Sequence, residues 1–240
     1  MAQLAGEHLV HHKRSAASAT VEGIVVLLAV IAMAALAFAA HTVHYFDIDL
    51  AATRAVQGIH SDAFDLVMRL VAAPGYPPQV YGLVALMLVI LWAFKLRWEA
   101  VSEVFAVIGI GVVGLIVKIL VDRPRPTEDL VKVMTTLDGG KQSFPAGHVE
   151  SYVAILGFLW YLSYTLLPKS SISRLIEMLV YGLMIVLIGV SRVYVGEHWL
   201  SDVAGGYLLG GIWLWLTIKF YEWGKTRFFK TERSKLDGKQ

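Results

Sequence analysis

The chain has 240 residues, 57% of them hydrophobic, with a mean hydropathy of +0.62. An apolar share this far above that of an aqueous domain excludes a soluble protein and calls for a bilayer. There is no cysteine, hence no disulfide and no thiolate metal site, and a net charge of only +2 gives no reason to expect a nucleic-acid partner.

In chain order, residues 1–23 read as a cytoplasmic tail carrying His8, His11, His12, Lys13 and Arg14. The first apolar run, 24–40, ends in Ala37-Phe38-Ala39 and so imitates a secretory signal with its cleavage site. It is longer than a signal core, and a retained helix is expected. The connection that follows is unusually long. Within it Phe64, Val67, Met68 and Val71 recur at helical spacing behind the capping candidates Ser61 and Asp62. They predict an amphipathic helix near 61–73 in the membrane interface, either a lid on the spans or a route for lipid.

Further apolar runs fall at 80–94, 104–121, 152–167, 175–190 and 203–220, several of them short of 20 residues and extended by Trp92, Tyr161, Tyr207 and Tyr221 as interfacial belts. The fold expected is an all-α polytopic bundle of six transmembrane helices, one domain over 24–221, closed by a basic cytoplasmic tail at 222–240 near anionic lipids. Six spans put both termini on one side, together with the loops near 95–99 and 169–174. That side holds 13 of the 21 basic residues against 8 on the other. The positive-inside rule makes it cytoplasmic, and the chain a multi-pass protein of a cell membrane.

Polar residues gather at three span ends, and alternation puts all three on the exoplasmic face. The third span closes on Lys118 to Arg125-Pro126, the fourth opens behind Pro145-Ala146-Gly147-His148, and Ser191-Arg192 through His198 to Asp202 join the fifth to the sixth. The types suit phosphoryl chemistry. Arg125 and Arg192 offer planar forks for phosphate oxygens and Lys118 a point charge. His198 and Asp202 are four apart, so on one helix face the carboxylate fixes the imidazole tautomer and leaves the other nitrogen to attack. His148 is placed to protonate a leaving oxygen, and Gly147 lets backbone approach phosphate at a helix start. Singly, each residue has a plainer reading: a snorkelling anchor for a Lys or Arg, a helix stop or start for Pro126 and Pro145, a first-turn charge for Glu150. The joint spacing is what exceeds them.

Lys118-x6-Arg125-Pro126, Pro145-x-Gly147-His148 and Ser191-Arg192-x5-His198-x3-Asp202 together resemble the three-part signature of the type 2 phosphatidic acid phosphatase superfamily. That superfamily also holds undecaprenyl-diphosphate phosphatases and vanadium haloperoxidases. The resemblance implies a cofactor-free, metal-independent phosphatase acting on a lipid phosphate or diphosphate. In it His198 would form a phosphohistidine, Asp202 support it, and His148 protonate the leaving group. Lys118, Arg125, Arg192 and the Gly147 backbone would bind phosphate, with Ser191 part of the motif. One departure stands out. Ala146 replaces the usual serine of the second motif, removing a hydroxyl for phosphate that Ser143, three residues earlier, is a candidate to supply. A charge-assisted hydrogen bond is worth about 1.5–3 kcal/mol, one to two decades of rate. The missing hydroxyl keeps open a weakly active or inactive relative that binds lipid phosphates. A soluble haloperoxidase conflicts with the hydropathy, and a transporter would place its ionisable residues near mid-bilayer, not at one edge. Phosphatidic acid, phosphatidylglycerophosphate, polyprenyl diphosphate and lipid A phosphates all remain open as substrates, and oligomeric state is not fixed.

Overall fold

The computed structural model describes residues 16–134 and 140–229; the histidines of the N-terminal tail and the basic residues from Lys230 onward lie outside them. Among the described residues eight α-helices follow one another: α1 Ala16–Thr42, α2 Asp47–Gln57, α3 Asp62–Ala72, α4 Gln79–Ala93, α5 Arg97–Val121, α6 Gly147–Leu166, α7 Ile172–Tyr194 and α8 Leu200–Phe228. Among the described residues the only β feature is an isolated bridge between Pro124 and Gln142. All six apolar runs are helical. Helices α1, α5, α6, α7 and α8 are each long and apolar enough to cross a bilayer; α4, with 15 residues, reaches that test only together with α3, across a 64° bend.

Two boundaries differ from expectation. Helix α1 begins at Ala16 and α8 runs on to Phe228, so the tail limits at 23 and 222 fall inside helices. Tertiary contacts hold the extra turns. Glu22 of α1 accepts the Trp215 indole N–H and pairs with Lys219. At the end of α8, the Trp98 ring lies where a side chain on Gly224 would be, and Lys225 pairs with the buried Glu99, which also accepts the Tyr221 hydroxyl.

The long connection holds two helices, not one. Helix α3 is the predicted amphipathic segment, with Ser61 accepting the Phe64 N–H at its start. Its bundle side is Met68, Val71 and Ala72, while Val67 stands exposed beside Leu66 and Leu70. Helix α2 was not foreseen because its buried face is polar: Asp49, Thr53 and Gln57 point inward at i, i+4, i+8, and Ile48 points out. Gln57 donates to the carbonyls of Lys132 and Tyr194, at 2.7 and 2.9 Å, which docks α2 on the end of α7.

The contact that places the site is α6 on α8. Gly206 and Gly210 sit one turn apart on α8, and a Cβ on them would stand 2.9 Å from the Ala146 carbonyl oxygen and 2.8 Å from that of Glu150. Small residues spaced in this way let membrane helices touch backbone to backbone. The first turns of α6 and α8 are thereby brought level, and the Ala146 N–H donates to the Asp202 carbonyl at 3.0 Å.

The absence of cysteine makes sidedness directly testable. Glu128, in the loop after α5, and Ser170, in the loop before α7, are both exposed. A membrane-impermeant thiol reagent on intact cells is expected to label Glu128→Cys and spare Ser170→Cys; the opposite pattern would invert the orientation.

Candidate active site

The turn between α7 and α8 builds the centre. Gly196 has φ +74°, a conformation that favours glycine, and a side chain there would run into the Lys132 carbonyl. The N–H groups of Glu197 and His198 both point back to the Arg192 carbonyl, at 3.2 and 3.3 Å. The tight turn sends Glu197 toward α7 and His198 toward α8. His198 and Asp202 are fully buried, with Nδ1 of the ring 3.7 Å from Oδ2 of the carboxylate. Nε2 is therefore the nitrogen on the far side from the carboxylate. Asp202 Oδ2 also accepts the Trp199 N–H at 2.8 Å, so one oxygen caps α8 and faces the imidazole.

Ser143 belongs to this side of the ring. Its hydroxyl donates to Asp202 Oδ2 and stands 3.4 Å from His198 Nδ1. Ser143, a candidate for the phosphate contact, is here bonded to the Asp202 carboxylate. Ala146 is fully buried among Val71, Val149, Tyr152, Ile188, Val193 and Val203, and is the N-cap of α6 without a side-chain cap. A serine at that position would accept an N–H of the first helical turn.

The cations take different surroundings. Lys118 Nζ donates to the Pro145 carbonyl at 2.6 Å and would lie 3.9 Å from a Cβ on Gly147, so the lysine reaches the start of α6. Glu150 is its electrostatic neighbour; it sits in the first turn of α6, as expected, and is buried there, with Gly114 of α5 leaving it room. Arg125 is partly exposed and donates to the Glu197 carbonyl at 3.4 Å. Arg192 is fully buried, with Nη1 2.7 Å from Glu197 and 2.8 Å from the Tyr76 hydroxyl. Ser191 donates to the Met68 carbonyl at 2.7 Å and so ties α7 to α3.

His148 is buried against the loop after α3. Its ring meets Tyr76 edge-on at 4.6 Å between centroids, and a Cβ on Gly75 would collide with it. Tyr76 donates to Glu197 at 2.8 Å, and burial pushes its phenol up to about 12, so it is a neutral hydroxyl at pH 7. His148, Tyr76, Arg192, Glu197 and Arg125 thus form one connected set. The sequence reading missed Tyr76 and Glu197. Glu197 was discoverable from its place beside His198, whereas Tyr76 reaches the site across 121 positions and leaves no local trace. Among the described residues no group of three or more His, Asp or Glu is arranged to hold a metal ion.

Comparisons with known proteins bear on the family and on the fold. The family model of the PAP2 superfamily matches residues 99–225, more than half of the chain. Phosphatidylglycerophosphatase B of Bacillus subtilis (strain 168) is 35% identical over 80 residues, 33% of this chain and 39% of that protein, so the match spans well under half of that curated relative. The crystal structure of a transmembrane PAP2 type phosphatidylglycerolphosphate phosphatase from Bacillus subtilis has a TM-score of 0.71 at 24% identity, covering 85% of this chain and 98% of that one. Aquifex aeolicus LpxE follows at 0.56 and 22%, covering 72% and 96%. At these identities the two structures establish the fold.

With Ser143 held on Asp202, the position of the missing hydroxyl is open. Ala146→Ser is expected to raise the melting temperature through a new N-cap worth about 0.5–2 kcal/mol, and kcat/KM by about one to two decades if the hydroxyl also meets phosphate. A higher Tm at unchanged kcat/KM assigns that hydroxyl to capping alone. Ser143→Ala is expected to lower kcat by loosening Asp202.

Proposed function

The chain belongs to the PAP2 superfamily, and from that premise we propose that it is an integral membrane phosphatase that hydrolyses a lipid phosphomonoester or diphosphate through a phosphohistidine, at the exoplasmic surface. The observation that carries the proposal is the His198–Asp202 pair, buried and joined through the Glu197 turn to Arg192, Arg125 and the wall around His148. Such a set has a use in phosphoryl transfer, where fixed cations meet the charge on the transferring group and a nucleophile must be aimed in line.

Nε2 of His198 attacks phosphorus while Nδ1–H faces the Asp202 carboxylate. The P–O bond to the lipid breaks, and His148, as imidazolium, gives its proton to the departing oxygen. In the second half His148 takes a proton from water, the water oxygen attacks the phosphohistidine, and inorganic phosphate leaves with the histidine restored. Asp202 stabilises the positive charge that the ring carries while phosphorylated. Lys118, Arg125 and Arg192, with the N–H groups at the start of α6, hold the phosphoryl oxygens. Both names among the Bacillus subtilis proteins point first to phosphatidylglycerophosphate. The test panel adds phosphatidic acid, polyprenyl diphosphate and lipid A phosphates. The partners are then the lipid substrate and the bilayer.

Phosphate release from this panel by the purified protein is expected to survive EDTA, since the charge is met by side chains; loss on chelation with rescue by magnesium would overturn His198 as nucleophile. Rapid quenching with a labelled substrate separates the histidines. His198→Ala is expected to yield no phosphoenzyme. His148→Ala is expected to form one from p-nitrophenyl phosphate, whose leaving group needs little protonation, while losing about 10²–10⁴-fold on an alkyl phosphate. An equal loss for both leaving groups would remove the acid role.

A further inference from the structure

The proposed attack needs an Asp202 carboxylate that does not turn. One of its oxygens, Oδ2, is held by the Trp199 N–H and by the Ser143 hydroxyl. The other, Oδ1, accepts Arg123 Nη1 at 2.6 Å. Arg123 is 1% exposed, and each of its nitrogens is engaged: Nε with the His44 carbonyl at 3.0 Å, Nη1 also with Ser201 Oγ at 2.7 Å, and Nη2 with Asp49 Oδ2 at 3.0 Å. Closed off in this way, Arg123 does a different job from Arg125, two residues on and partly exposed.

Asp49 completes the arrangement from α2. Its Oδ1 accepts the Ser201 N–H at 2.8 Å, and its Oδ2 accepts the Ser201 hydroxyl at 2.7 Å and the Phe46 N–H at 3.0 Å. A carboxylate 152 positions away in sequence therefore caps the helix that bears Asp202. Asp49, Arg123, Ser201 and Asp202 are all buried, and the charges run negative, positive, negative toward His198. The row is balanced when the imidazole is positive, as it is once phosphorylated at Nε2.

We propose that Arg123 and Asp49 are positioning residues of the catalytic centre, fixing Asp202 in place and charge so that it stabilises the cationic phosphohistidine. The proposal rests on the phosphohistidine reading given above. Asp49 lies outside the residues matched by the family model, so the device joins α2 to a site whose His148, Arg192, His198 and Asp202 all fall within residues 99–225.

The test uses the full-length protein in detergent with p-nitrophenyl phosphate, and inorganic phosphate as competitive inhibitor. Asp49→Asn removes the charge and keeps the shape. It is expected to lower kcat by about 10²-fold, the scale of a small misplacement of a reacting group, with KM and phosphate inhibition nearly unchanged. Asp49→Glu is expected to recover part of the rate. Arg123→Lys keeps the charge but loses the fork, and is expected to give the same signature, which serves should Asp49→Asn not fold. Full kcat in either folded variant, or phosphate affinity falling in step with kcat, overturns the positioning role and leaves the phosphatase reading standing. A wild type that releases no phosphate from any substrate overturns both.

Discussion

Between α6 and α8 two backbones meet at Gly206 and Gly210 with no side chain of α8 between them, and the rest of the centre inherits its spacing from that approach. It fixes the start of α6 against the start of α8, so Ala146 can donate to the Asp202 carbonyl and the second and third motifs become neighbours. In lipid there is no hydrophobic drive between helices, and close packing of small residues is the force available. A methyl group at either glycine would press on the backbone of α6, shifting His148 relative to His198 as well as loosening the bundle.

Around that contact the structure solves a second problem, the burial of charge. Arg123, Arg192, Asp49 and Asp202 are all at most 1% exposed, and a charge so enclosed is tolerable only when paired and hydrogen-bonded. Two separate groupings do this. Arg192 has Glu197 and the neutral Tyr76 hydroxyl; Arg123 has two carboxylates and Ser201. The first lies on the side of His148, the second behind His198. Under the proposed mechanism the first grouping borders the chemistry and the second supports it.

What was legible in the sequence follows from the range of each interaction. The spans are apolar runs, and every one is a helix. His198 and Asp202 could be paired because they are four positions apart, but they do not share a helix face: α8 begins at Leu200, and the turn ahead of its N-cap Trp199 is what brings the imidazole to the carboxylate. Helix α2 was invisible because its inward face is Asp49, Thr53 and Gln57, and hydrophobic periodicity registers only helices that bury carbon. Val67 was placed on the buried stripe of α3 by spacing, but its neighbours Leu66 and Leu70 share an outward apolar face with it. Tyr76 and Asp49 acquire their meaning only from partners 121 and 152 positions away. Ser143 is only a candidate for the hydroxyl missing at Ala146, because proximity in sequence does not guarantee reach; in the fold its hydroxyl is bonded to the Asp202 carboxylate.

The bond from Asp49 to the first turn of α8 also bears on biosynthesis. A chain made from its N-terminus emits α2 early and α8 last, and domains take shape in that order. Until α8 arrives, Asp49 and Arg123 have each other but neither Ser201 nor Asp202 to meet. His198, the proposed nucleophile, stands just ahead of α8 and enters when that gap closes. Under the proposed mechanism a nascent chain that stops before α8 lacks Asp202 and is inert, and the closing of α2 onto α8 is the step at which a set of spans becomes a phosphatase.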